Sequence, residues 1–219
     1  WAFQTVDTLR CMEIINVAAG ATRFSCNAYL ITGSNPTLVD AGTKRDVDDV
    51  IADHVDELET VVLTHQHRDH VAELSAVLDR FDPVVACHGN HPERDQALSD
   101  GDRIRLGETI YQAVHTPGHA KDHLSFISDD RIFSGDIVVY NDGAFEDGSF
   151  GRTDMAGQSR ETLLESLDKL LTRLSPGVQE LYAGHGDSYN PTQAQDTVYT
   201  VIERARERAA RFDPKYPDE

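Results

Sequence analysis

The chain has 219 residues, 39% hydrophobic and 26% charged, enough for one domain with its own core and no disulfide staples. Its charge is lopsided: 38 Asp and Glu against 20 Lys and Arg give a formal net charge of -18. Such a surface repels phosphate backbones and anionic lipid, which argues against a general nucleic-acid binder and against a polybasic membrane foothold.

Asp outnumbers Glu and Arg far outnumbers Lys, a balance that resembles proteins from cytoplasms holding molar salt, where self-repulsion is screened. Charges interleaved with periodic apolar segments favour a folded domain over disorder. Cys11, Cys26 and Cys87 are odd in number and form no CxxC, as in a reduced protein without a disulfide framework. No apolar run reaches 18 residues, and Trp1-Ala2-Phe3-Gln4 lacks the layout of a signal peptide, so a soluble, cytoplasmic protein is expected.

In chain order, strands are predicted over 10–17, from Asn27 to Ile31 and from Thr37 to Val39, the last ending in Asp40-Ala41-Gly42. Val47, Val50, Ile51 and Val55 share a helix face. Val61-Val62-Leu63 reads as a buried strand, and Val71, Leu74, Val77 and Leu78 as a second helix beyond it. Val84-Val85-Ala86, Ile110 to Val114 and Leu124 to Ile127 are further strands, followed by a longer run from Arg131 to Val139 broken at Gly135-Asp136. Leu163, Leu164, Leu167, Leu170 and Leu171 mark a helix, Leu181-Tyr182-Ala183 a last strand, and a closing helix is expected over about 192–211, entered at Pro191. Strands and helices mixed in both halves predict one α/β domain over 1–219, two sheets sandwiched between helices.

The chemistry concentrates where strands end. Val61-Val62-Leu63 runs into Thr64-His65-Gln66-His67-Arg68-Asp69-His70. Residues two apart on an extended turn point the same way, so His65 and His67 can pinch one cation while Asp69 and His70 face a second. Imidazole with carboxylate suits zinc, iron or manganese rather than calcium or magnesium. His119 in Thr116-Pro117-Gly118-His119, Asp136 in Ser134-Gly135-Asp136 and His185 in Gly184-His185-Gly186 sit at strand ends before tight turns, where a metal site would need them.

The set HxHxDH, TPGH, SGD and GHG resembles the metallo-β-lactamase superfamily over about residues 13–190. The resemblance implies a four-layer αβ/βα sandwich with metals at the edge between the sheets. It implies that His65, His67 and His119 hold one metal, that Asp69, His70 and His185 hold a second, and that Asp136 bridges them. Two divalent ions are then expected, zinc first, with iron or a zinc/iron mixture as alternatives. The implied reaction is attack by a metal-bridging hydroxide on a carbonyl, with Asp69 also a candidate to orient that nucleophile and move its proton.

Gly148-Ser149-Phe150-Gly151-Arg152-Thr153-Asp154-Met155 is similar to the GRTD-L stretch of short glyoxalases II and of persulfide dioxygenases. Only 34 residues follow His185, so a single helix is expected there and the short form is the nearer comparison. The function implied is hydrolysis of a small-molecule thioester of a 2-hydroxy acid. The alternative is a persulfide dioxygenase with one iron on His65, His119 and Asp136, and a lactonase or a non-catalytic metal module stand further off. Arg152 is the candidate substrate-binding residue, suited to the carboxylate of a thiol carrier; equally, it can pair with Asp154 to fix the loop. His123 reads as a supporting or packing residue, and His54, His88, His91 and His115 carry no assigned role.

Overall fold

Apolar strands that bury both faces dominate both halves of the chain. The computed structural model describes residues 12–191 and 196–211. Residues 192–195, Cys11 and Trp1-Ala2-Phe3-Gln4 lie outside them, and of the expected strand over 10–17 the described part is β1, Ile14–Asn16.

β1 joins β2 (Tyr29–Ile31), β3 (Thr37–Val39), β4 (Thr60–Val62), β5 (Val84–Cys87) and β6 (Gln96–Ala97) in one sheet whose spatial order follows the sequence. Pairing is antiparallel through β3 and parallel from β3 to β6. Parallel neighbours need crossovers, supplied by α1 (Val47–Ala52) between β3 and β4 and by α2 (Arg68–Val71) and α3 (Leu74–Phe81) between β4 and β5. The second sheet has the order β11-β10-β9-β8-β7, built from β7 (Arg103–Leu106), β8 (Thr109–His115), β9 (Leu124–Ile127), β10 (Arg131–Gly135) and β11 (Glu180–Ala183). α4 (Arg160–Arg173) crosses from β10 to its parallel partner β11, and α5 (Val198–Ala210) follows.

The side-chain period of two explains the layers. Leu30, Leu38, Val61 and Val85 point outward into a core shared with Val47 and Ile51 of α1 and Leu74 and Val77 of α3. Their neighbours Ile31, Val39, Val62 and Ala86 point inward, against Ala113, Phe126 and Phe133 of the second sheet. On the far side, Val114, Ile127, Ile132 and Leu181 meet Leu163, Leu167 and Leu170 of α4 and Val198, Val201 and Ile202 of α5. Three cores between four layers make the expected αβ/βα sandwich.

The structure departs from the sequence expectation at several points. The helix read from Val71 to Leu78 is two pieces, α2 and α3, because the first turn belongs to the histidine loop and the Glu73 amide bonds to the Gly42 carbonyl. The run from Arg131 to Val139 leaves the sheet at Gly135, since the next amide, that of Asp136, is taken by His123. α5 begins at Val198 rather than near Pro191, where Thr197 and Thr200 form a reciprocal capping box. β7 hid behind its exposed arginines, and β6 is too short to leave a pattern. Cys26 and Cys87 are free and buried. No helix among the described residues is long and apolar enough to cross a membrane.

Candidate metal centre

Four loops that follow strands converge at one edge of the sandwich: the turn after β4 with His65, His67, Asp69 and His70, and the turns after β8, β10 and β11 with His119, Asp136 and His185. All seven residues come together there. Nε2 of His65 lies 3.0 Å from Nδ1 of His67, which lies 2.9 Å from Nε2 of His119. Nε2 of His185 is 3.0 Å from an oxygen of Asp69, and Nε2 of His70 is 3.9 Å from the same oxygen. Between the two groups, the Asp136 carboxylate stands 3.3 Å from His119 and 3.4 Å from both His70 and His185.

The donor set is that of a cation site. Nδ1 of His119 is 2.8 Å from the carbonyl oxygen of Arg152 and donates to it, so Nε2 presents a lone pair to the cluster. Nδ1 of His70 likewise faces Asp40 Oδ2 at 2.8 Å, directing Nε2 inward. That nitrogen and Oδ1 of Asp136 are buried and have no hydrogen-bond partner, an arrangement costly without a ligand. His65, His67 and His119, and separately Asp69, His70 and His185, each offer atoms close enough to hold one metal ion.

Electrostatics divide the two groups. Burial drives the pKa of His65 and His119 down, so both are neutral lone-pair donors at neutral pH. Burial also presses on His70 and His185, but there the nearby charges prevail: Cys26, Asp40 and Asp136 hold His70 well above the ordinary value, and Asp136 with Asp69 lifts His185 to about 9. Asp136 answers in kind, for burial would raise it and the charges of His185 and His70 hold it well below the carboxylate range. Asp69 is lowered too, burial being outweighed by its hydrogen bond from His185. A cation entering this second group takes the place of protons.

A supporting layer holds these ligands. Asp40 ends β3 with a left-handed backbone (φ 59°), 2% exposed, and accepts from the amide and hydroxyl of Thr64 at 2.8 and 2.7 Å as well as facing His70. Thr64 in turn lies 3.1 Å from Nδ1 of His65, so one carboxylate steadies a ligand of each group. His123 is fully buried and outside the ligand cluster: its Nε2 accepts from the Asp136 amide at 2.9 Å, which leaves Nδ1 to donate to Thr116. Asp40 was legible only as an acid ending an apolar strand, a signal the motif overshadowed.

Arg152 lies on the cavity wall, and its guanidinium forms a two-pronged pair with Asp154 at 2.8 and 2.5 Å. Its backbone carbonyl reaches the candidate ligand His119. The close approach requires Gly151 beside it, where a Cβ would collide with the Asp136 carbonyl and His119. The centre opens into a cavity of about 610 Å³ whose rim carries Phe24 and Met155, both exposed, with the Phe24 ring stacked on His185 at 4.9 Å.

The profile of the metallo-beta-lactamase superfamily matches residues 21–95, which include four of these seven candidate ligands. The atrochrysone carboxyl ACP thioesterase of Aspergillus fumigatus is 30% identical over 194 residues, 83% of this chain and 56% of that one. The hydroxyacylglutathione hydrolase of Pseudoalteromonas translucida is 30% identical over 182 residues, 80% of this chain and 65% of its own length. The chain spans between 46% and 65% of the length of these and two further curated relatives. Among solved structures, ETHE1 from Myxococcus xanthus shares the fold with a TM-score of 0.69 at 23% identity, over 95% of this chain and 94% of its own. TTHA1623, crystallised in a di-iron-bound form, aligns with a TM-score of 0.60 at 26% identity, over 80% of this chain and 94% of its own. Fold, profile and relatives converge on one answer, and the chain belongs to the metallo-β-lactamase superfamily.

Proposed function

We propose that the chain is a metal-dependent hydrolase that cleaves the thioester of a 2-hydroxy acid, a substrate of the S-lactoyl-thiol type. The observation that carries this reading is the Asp136 carboxylate, set within 3.4 Å of ligands from both groups on the floor of one cavity. His65, His67 and His119 would hold one ion, Asp69, His70 and His185 the other, and Asp136 would touch both. Bound there, two divalent ions, zinc first by the nitrogen-and-carboxylate donors and otherwise iron or a mixture, acidify water and polarise a carbonyl. Among the described residues no serine or cysteine lines the cavity to serve as a nucleophile. Asp69, on the wall and bonded to His185, orients water and accepts its proton. Arg152 binds a carboxylate of the thiol carrier, in competition with Asp154.

Relatives named for thioesters, a carboxyl ACP thioesterase and a hydroxyacylglutathione hydrolase, favour a sulfur ester over a lactone. A persulfide dioxygenase with one iron on His65, His119 and Asp136 would leave the group of Asp69, His70 and His185 without a task. The acidic surface suits concentrated salt. The test is metal content of protein purified without chelator, together with thiol release from an S-lactoyl thioester. About two equivalents of metal and turnover are expected, and both should vanish in Asp136→Ala while circular dichroism stays native. About one equivalent of iron with oxygen uptake on a thiol persulfide would replace this reading with the dioxygenase.

A further inference from the structure

Beside the metal cavity lies a second groove of about 570 Å³, which shares Phe24, Arg68 and Asp69 with it and adds Arg23, Thr43 and Glu73. Its two arginines are exposed, and neither makes a hydrogen bond or ion pair among the described residues. Other arginines divide: Arg80, Arg173, Arg206 and Arg208 each sit on a carboxylate at 2.5 to 2.7 Å, whereas the exposed Arg45 and Arg103 stand open but line neither this groove nor the metal cavity. With 38 carboxylate side chains against 20 Lys and Arg, two unpartnered guanidiniums on one groove mark a place kept open for an anion from outside.

The segment that carries Arg23 and Phe24 is built, not loose. Lys44 Nζ donates to the carbonyls of Val17 and Ala19, the Thr43 amide to Ser25 Oγ, the Thr43 hydroxyl to the Phe24 carbonyl, and the Cys26 amide to the Asp69 carbonyl. Arg23 thereby stands on an anchored segment that lines the same groove as Arg68. The Phe24 ring, 78% exposed, stands between groove and metal centre and offers an apolar face to a chain passing from one to the other. Asp69 and Glu73 line the same groove, so the place for an anion there is at its two guanidiniums.

We propose that Arg23 and Arg68 bind the anionic end of the substrate's thiol carrier, a phosphate or carboxylate group reached from the metal centre across Phe24. Guanidinium suits either oxyanion by its forked geometry. The proposal rests on the thioesterase reading for its substrate but not for its test. Binding is measured by calorimetry, at one fixed salt concentration, with thioethers that cannot be hydrolysed: S-methyl coenzyme A (phosphates), S-methylglutathione (carboxylates) and S-methyl-N-acetylcysteamine (neither).

R23E/R68E should raise Kd for at least one anionic thioether about tenfold and leave the neutral one unchanged. Which anionic thioether weakens identifies phosphate or carboxylate as the group bound. R103E, the same charge change on exposed β7, should alter none of them. Equal Kd values for both anionic thioethers in R23E/R68E and the parent chain would overturn the proposal, whatever the rate of thioester hydrolysis. Weakened binding in a protein that hydrolyses no thioester would uphold the groove and overturn the thioesterase reading instead.

Discussion

Asp40 illustrates how a residue that touches no substrate can govern the centre. Its carboxylate takes the inner protons of Thr64 and His70, so removing its charge loosens one ligand of each group. Asp40→Asn should weaken metal binding by about 10- to 100-fold, measured by competition with a chromogenic chelator, with turnover restored at saturating metal. A change of stability alone would reduce Asp40 to a packing role. Arg152→Ala separates two tasks, because the backbone carbonyl that steadies His119 survives the substitution. KM for a carboxylate-bearing thioester should rise about tenfold with kcat held. Unchanged kinetics and a lower melting temperature would leave Arg152 only its pairing with Asp154.

At the scale of elements, the candidate ligands His65, His119, Asp136 and His185 each follow within a few residues of a strand whose inward side chains are buried between the sheets or under the helices, so their backbone is anchored to the sandwich. α5 contributes from the far layer: Val198, Val201 and Ile202 close the core beneath β10 and β11, whose ends carry Asp136 and His185. Its entry depends on Thr197, whose side chain accepts from the Thr200 amide while Thr200 reaches back. Thr197→Ala should cost about 1 kcal/mol of folding stability by urea unfolding, with metal content unchanged. A loss of metal would place the α5 entry closer to the centre than its packing does. The strands and helices of both halves were legible as apolar runs and helical spacings. β7 and the break between α2 and α3 were not, because exposed arginines mask alternation in the one and a loop-to-helix hydrogen bond to Gly42 creates the other.

Across the whole molecule, a net charge of -18 sets self-repulsion against the compact state. Surface pairs such as Arg80 with Asp49 and Arg206 with Asp168 relieve part of it, but carboxylates remain in excess. The urea midpoint should therefore rise between about 0.1 M and about 3 M KCl, as the screening length falls from about 10 Å to below 3 Å. A flat or falling midpoint would show that the acidity carries no adaptation to salt.

Much of the centre could be read without a structure, because His65, His67, Asp69 and His70 crowd one turn and imidazoles so spaced serve a cation better than a fold. His119, Asp136 and His185 were legible through their strand-end settings and the resemblance those settings carry. What only the tertiary structure decided lies across long separations. Asp40 meets His70 from 30 residues away, the Arg152 carbonyl meets His119 from 33, and His119 meets His67 from 52. The open guanidiniums of Arg23 and Arg68 belong to the same class. Local spacing shows which side chains can share a turn, whereas pairing between loops depends on how two sheets pack, and that is settled only when the inward faces of Val39, Val62, Phe126 and Phe133 close on one another.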